Sequence, residues 1–129
     1  MISIRQISFV VLLCAPFSAV MAADWVPLDN TDEMTWEGKA GSLKISTNNS
    51  NETVATAMGR VTGKDRKVEF EQWYVRKKDC SRGAGKIVTT DLDGNFRFEN
   101  DFLIGGGTVA TSIAEMLCSI FSQGIGKRS

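Results

Sequence analysis

The sequence predicts an α+β domain: an antiparallel β-sheet of about five or six strands, covered by a C-terminal α-helix that one disulfide ties down. Three observations predict it. Between residues 25 and 104, short apolar or alternating segments are separated by clusters of Gly, Asn and Asp, the pattern of strands and turns. From Thr108 onward the apolar residues switch to helical spacing. Two cysteines, Cys80 and Cys118, lie one before the last strands and one inside that helix.

Residues 1–22 are expected to be a secretory signal peptide and residues 23–129 a single domain. Arg5 supplies the positive start, residues 7–17 form a short apolar run broken by Pro16, and Val20 and Ala22 stand at the two recognition positions of a cleavage site. The run is about half of the roughly 20 residues a membrane-spanning helix needs. The expectation is therefore an exported chain, in the periplasm or at the surface of a Gram-negative bacterium, with no integral membrane segment after cleavage. Cys14 lies within the apolar run, and Leu13 is too large to precede a lipidated cysteine.

The elements follow in order. "WVPL" (25–28) reads as an edge strand, the one place where Pro27 is tolerated. "SLKIST" (42–47) alternates Leu43 and Ile45 with Lys44 and Ser46, as a half-buried strand does, and "NNSNE" (48–52) is a turn. "TVATAMGRVT" (53–62) alternates more weakly. "KVEFEQWYVRK" (67–77) puts Val68, Phe70, Gln72 and Tyr74 on one face and leaves Glu69 and Glu71 outside, until Trp73 and Val75 make that second face apolar too. Its second half is expected to be buried on both sides. "GKIVTTDL" (85–92) and "NFRFENDFLI" (95–104) complete the sheet, with "DLDGN" (91–95) as the hairpin turn between them.

Val109, Ile113, Met116, Leu117, Ile120 and Phe121 form one face of the terminal helix. Thr108 is its expected N-cap, with Gly124 and Gly126 at its end. Thr111, Ser112, Glu115 and Ser119 form the polar side, and Cys118 sits on the flank between the two.

With Cys14 removed, only Cys80 and Cys118 remain. In an oxidising compartment two cysteines read as one disulfide, here reaching from the end of the central strand to the helix flank. The chain contains no histidine, so Cys/His and Ser/His/Asp catalysis are excluded, and two cysteines make a poor zinc site. Asp91, Asp93 and Asn95 have the first EF-hand spacings, but Phe96 stands where the loop glycine belongs. "GGGT" (105–108) lacks the lysine of a phosphate-binding loop. Catalytic, metal and cofactor residues are accordingly expected to be none.

Charge is unevenly spread. The chain as a whole is neutral, which argues against nucleic acid as a partner. Residues 24–59 carry six acids against Lys39 and Lys44, whereas residues 60–88 carry nine bases against four acids. Arg76, Lys77, Lys78 and Arg82 crowd around Cys80 and are the candidate partner-binding residues, suited to an acidic partner.

The segments "ADWVPL", "TWEGKAGSL", "EQWYVRKKDC" and "GTVATSIAEMLC" together resemble the bacterial surface-adhesin protein E family. The second of them lacks the proline and tyrosine pattern expected there. The resemblance implies a small adhesin E-like α+β domain with one disulfide, whose best-known relative binds host matrix and plasma proteins; it supplies no binding residue. The expected function is an exported binding domain for a protein or glycan, without catalysis. The alternative is a periplasmic inhibitor or immunity protein of a hydrolase or toxin.

Overall fold

The computed structural model describes residues 24–128; the expected signal peptide, residues 1–22, lies outside them. The order is β1 (Trp25–Asn30), β2 (Met34–Lys39), a 3-10 turn (Ala40–Ser42), β3 (Lys44–Thr47), β4 (Thr53–Gly63), β5 (Val68–Arg76), α1 (Lys77–Arg82), β6 (Ala84–Thr90), β7 (Phe96–Leu103) and α2 (Val109–Arg128). All pairs are antiparallel in the order β1-β2-β4-β5-β6-β7, and β3 shares an edge of β4 with β2. This is the expected α+β arrangement with seven strands. Among the described residues, no helix is long and apolar enough to cross a membrane.

The additional strand is β2. Met34, Trp36 and Gly38 alternate with Thr35, Glu37 and Lys39, but a glycine in an apolar position hides the alternation. Gly38 leaves room there for the end of the Met116 side chain on α2, which a Cβ at that point would displace. β4 is the longest strand and pairs with β2, β3 and β5, where the sequence suggested a weaker strand. Its covered face is small, Ala55, Ala57 and Gly59, because Trp73 of β5 packs there: a Cβ on Gly59 would fall on the indole ring. Trp73 is only 1% exposed.

The two faces of β5 are the reverse of the simplest reading of its first half. The helix covers the face of Glu71, Trp73 and Val75, all buried, while Phe70 is 44% exposed on the outer face. Gln72 and Tyr74 are half-buried there, so only one face of the second half is fully covered. On the outer face Phe70 lies 5.9 Å from Trp25, whose ring also carries Arg60 at 4.4 Å. In β3 the expected alternation also fails: Ile45 is 49% exposed, and Leu43, just outside the strand, joins the core instead.

α2 buries Ile113, Ala114, Leu117 and Phe121 against Ala55, Ala57, Val61, Trp73, Val75, Ile87 and Phe102. Thr108 caps it as expected, its Oγ1 accepting the Thr111 N–H at 3.1 Å. Thr111 itself is buried rather than on the polar side, because its hydroxyl donates to the Leu103 carbonyl at 2.8 Å. The next residue, Ser112, donates to Asp29 Oδ2 at 3.3 Å. Leu103 ends β7 and Asp29 lies in β1, the opposite edges of the sheet, so the sheet curls until both edges meet the helix. The helix does not stop at Gly124 or Gly126 but continues to Arg128.

Cys80 and Cys118 form the expected disulfide, with their Cα atoms 5.6 Å apart. Cys80 is not at a strand end: β5 passes directly into α1, which presents Cys80 to α2 and closes at Gly83 with φ 79°. The bridge closes a separation of 38 residues, for which loop entropy suggests roughly 4 kcal/mol. Replacing both cysteines by serine is expected to lower Tm by about 15 °C or more, as read by thermal unfolding of the purified protein. A shift of a few degrees would show that the packed face of α2 holds the helix without the bridge.

Candidate functional site

The residues singled out by sequence occupy one end of the sheet around α1. Asp79, at the centre of α1, is 0% exposed. Its Oδ1 accepts from Arg82 at 2.7 Å, and its Oδ2 accepts from Arg76 at 3.1 Å and from the Lys86 backbone N–H at 3.4 Å. Glu52, beside the 48–52 turn, lies 3.5 Å from Arg76 and 3.2 Å from Lys78. Donation from the Asn48 amide and from Lys78 holds the Glu52 carboxyl below its usual range. Lys77 stands over the Phe121 ring at 5.8 Å. All four candidate cations are therefore together in space, and each also has a partner inside the fold.

Burial explains why two arginines converge on one aspartate. A carboxylate without water is unfavourable unless its oxygens are hydrogen-bonded and its charge matched, and Arg76 and Arg82 supply both. Gly85 makes the space, since a Cβ there would overlap the Asp79 carboxyl carbon.

A second constellation lies at the other end of the covered face. A cleft of about 510 Å³ opens between the first turn of α2 and strands β2, β4, β5, β6 and β7. Trp36, Val61, Trp73, Ile87, Val109 and Ile113 line its walls, and Glu69, Glu71 and Arg97 supply charge. Glu71 is 5% exposed. Its Oε2 accepts from Trp73 Nε1 at 2.7 Å, whereas its Oε1 faces Arg97 Nη1 only at 3.9 Å, too long for a hydrogen bond. Arg97 Nη2 is equally far from Glu69 Oε1, at 3.9 Å. Burial pushes the Glu71 carboxyl up, and the Trp73 hydrogen bond and Arg97 charge offset this only in part.

Arg97 reaches this face through an irregularity. Between Thr89 and Thr90 the β6–β7 register shifts, so that Phe96 to Phe98 on β7 oppose a single step of β6. Such a bulge re-aims a side chain. The sequence reading placed Glu71 outside the core and assigned no role to Arg97, Trp36 or Glu69. The available signal was a glutamate two residues before Trp73 and four before Val75, sharing their strand parity. Among the described residues, no group of three or more His, Cys, Asp or Glu side chains is placed to hold a metal ion.

Two measurements separate these carboxylates. Gly85→Ala is expected to cost roughly 1–3 kcal/mol by crowding Asp79, while Gly41→Ala, in open space, costs far less; equal denaturation midpoints would show that the Asp79 network yields freely. For Glu71 the folded pKa is raised above the unfolded value near 4.5. Its contribution to stability is thus fully present below pH 4.5 and is lost as pH rises through the folded value. Glu71→Gln keeps an acceptor for Trp73 and removes the charge, so its Tm is expected to exceed that of the unsubstituted protein at pH 7, with the difference closing below about pH 4. A difference independent of pH would show that folding leaves the Glu71 carboxyl unshifted.

Comparison with family models, with curated proteins and with solved structures finds no match to this chain.

Proposed function

We propose that this chain is an exported, non-catalytic binding domain of the adhesin E type, acting in the periplasm or at the surface of a Gram-negative bacterium, and that it receives a protein or glycan partner in the Trp73–Glu71 cleft. One observation carries the proposal: Glu71, a residue only 5% exposed, lines a largely apolar cleft with one carboxylate oxygen on the Trp73 indole and the other, open to the cleft, no nearer than 3.9 Å to Arg97. Removing a charge from water is costly. A fold that needed only a packed core would have an apolar side chain there. Sites of this kind, concave and apolar with a few convergent polar groups and a perturbed carboxyl, are the usual places of recognition. The absence of histidine from the sequence favours binding over turnover.

The basic segment supports a weaker version of the same function. Arg76 and Arg82 neutralise Asp79, and Arg76 and Lys78 neutralise Glu52. Four cations against two carboxylates leave this end basic, but half of its charge serves the fold.

The test is partner binding by the processed chain, screened against immobilised matrix and plasma proteins and a glycan array. Ala110→Phe, which fills the cleft from the α2 side, and Glu71→Gln are expected to weaken the captured interaction at least about tenfold. Lys77→Glu with Lys78→Glu, which spares both arginines on Asp79, is expected to alter mainly its salt dependence. The reverse pattern would move recognition to the basic end. Stoichiometric capture of one periplasmic hydrolase or toxin, with loss of its activity, would establish the inhibitor or immunity role instead.

A further inference from the structure

The cleft's charges constrain what it accepts. Arg97 stands between Glu69 and Glu71 at 3.9 Å from each, close enough to offset charge and too far to hydrogen-bond either. Two carboxylates, Glu71 inside and the largely exposed Glu69 at the rim, against one guanidinium leave the cleft negative. The first turn of α2 adds positive potential at the mouth, but Thr108 caps the Thr111 N–H, and Asp101, also on the lining, is held by Lys86 at 2.6 Å. An anion attracted by Arg97 would have to settle against both glutamates. A cation meets the opposite situation: Glu71 Oε1 faces Arg97 only at 3.9 Å and opens to the cleft rather than being sealed in the core, so it can accept a charge-assisted hydrogen bond from an entering donor. The Arg97 side chain is 38% exposed and able to move into solvent as the cation enters.

The walls indicate what carries the cation. Trp36, Val61 and Ile113 present an apolar channel toward Glu71, which suits an aliphatic stem. Around the mouth, Met34 and Phe98 are 41% and 45% exposed although both line the cleft. An apolar rim of this kind exceeds what a lone small amine needs and fits the surroundings of a side chain presented by a protein.

We infer that the cleft receives a lysine or arginine side chain of a protein partner, its stem along Trp36, Val61 and Ile113 and its cationic head replacing Arg97 at Glu71 and Glu69. This rests on the reading of the cleft as the binding site. Arg97 is then an internal placeholder that keeps the empty site neutralised and competes with the incoming base.

The indole N–H of Trp73, bonded to Glu71, is the reporter. The 15N-labelled protein is titrated with Nα-acetyl-lysine N-methylamide, with the same compound acetylated on Nε as the uncharged control. The charged probe is expected to shift the Trp73 indole resonance saturably with Kd on the order of 1 mM or weaker, as a single side chain allows. Glu71→Gln is expected to weaken this at least about tenfold, and Arg97→Ala, by removing the competitor, to tighten it several-fold. A merely structural Arg97 would not produce that tightening. Equal shifts with the acetylated control, or weaker binding by Arg97→Ala, would overturn the inference. If a neutral glycan or an acidic peptide moves the Trp73 resonance and the lysine probe does not, the cation inference fails while the cleft remains the site. If partners bind the protein without moving that resonance, both fail.

Discussion

A single helix has to fill the concave side of a sheet six strands across, and the packing of Trp73 decides how it does so. The indole occupies the centre of the covered face at 1% exposure, and Gly59 on the neighbouring strand has no side chain because none would fit. With Ala55 and Ala57 also small, α2 approaches β4 closely and leans on Trp73, Val75 and Ile87. The same closeness lets Thr111 and Ser112 hydrogen-bond to opposite edges of the sheet. A flat sheet would leave those edges too far apart, so the curl, the small central strand and the helix are one solution to one packing problem. The disulfide secures the middle of that helix from α1, where the apolar face alone would have to hold it.

Asp79 and Glu71 show how equal burial leads to different roles. Both are glutamate or aspartate side chains at the margins of the core, and both are nearly removed from water. Around Asp79 the fold provides two arginines, a backbone N–H and a glycine that makes room. Such a fully satisfied network is rigid and specifies one arrangement. Around Glu71 it provides one indole N–H and a guanidinium at 3.9 Å. Asp79 thus accepts from three residues and Glu71 from one, and Glu71 alone of the two lines the cleft, which is the contrast on which its proposed receptive role rests.

The helix face, the Thr108 cap, the Asp91–Asn95 turn and the cysteine pair were legible because each depends on local chemistry. In the turn, for instance, Asp91 Oδ1 accepts the N–H groups of Asp93 and Asn95, both at 2.9 Å, and Gly94 takes φ 92°. What was not legible depends on neighbours distant in sequence. Gly38 hides β2 because Met116 lies above it, and the small residues of β4 read as weakness because Trp73 is supplied by the next strand. The faces of β5 were ambiguous for a related reason: Phe70 is apolar but stacks beside Trp25 on the outer face, whereas Glu71 is charged but inward. The candidate cleft was invisible in sequence because Arg97 reaches it through a register shift that no local pattern announces.

The segregated charge of the sequence has a structural cause of the same kind. Residues 24–59 are acidic and residues 60–88 basic, which along the chain resembles a dipole with a separate basic surface. Folding sets the two halves against each other. Arg60 sits directly across from Glu37 in the β2–β4 pair and bonds to it at 2.8 Å; Lys64 approaches Glu33, and Arg76 and Lys78 share Glu52. The segregation is thus complementarity between elements that pair, and exposed pairs of this sort contribute little stability while opposing wrong registers, in which like charges would meet. Lys86 and Asp101 repeat the arrangement across β6 and β7. Against that background, Glu71 stands apart in being buried with its cation no nearer than 3.9 Å, and in the proposed reading an ionic partner brought from outside would supply the close contact that the chain makes for Asp79 from within.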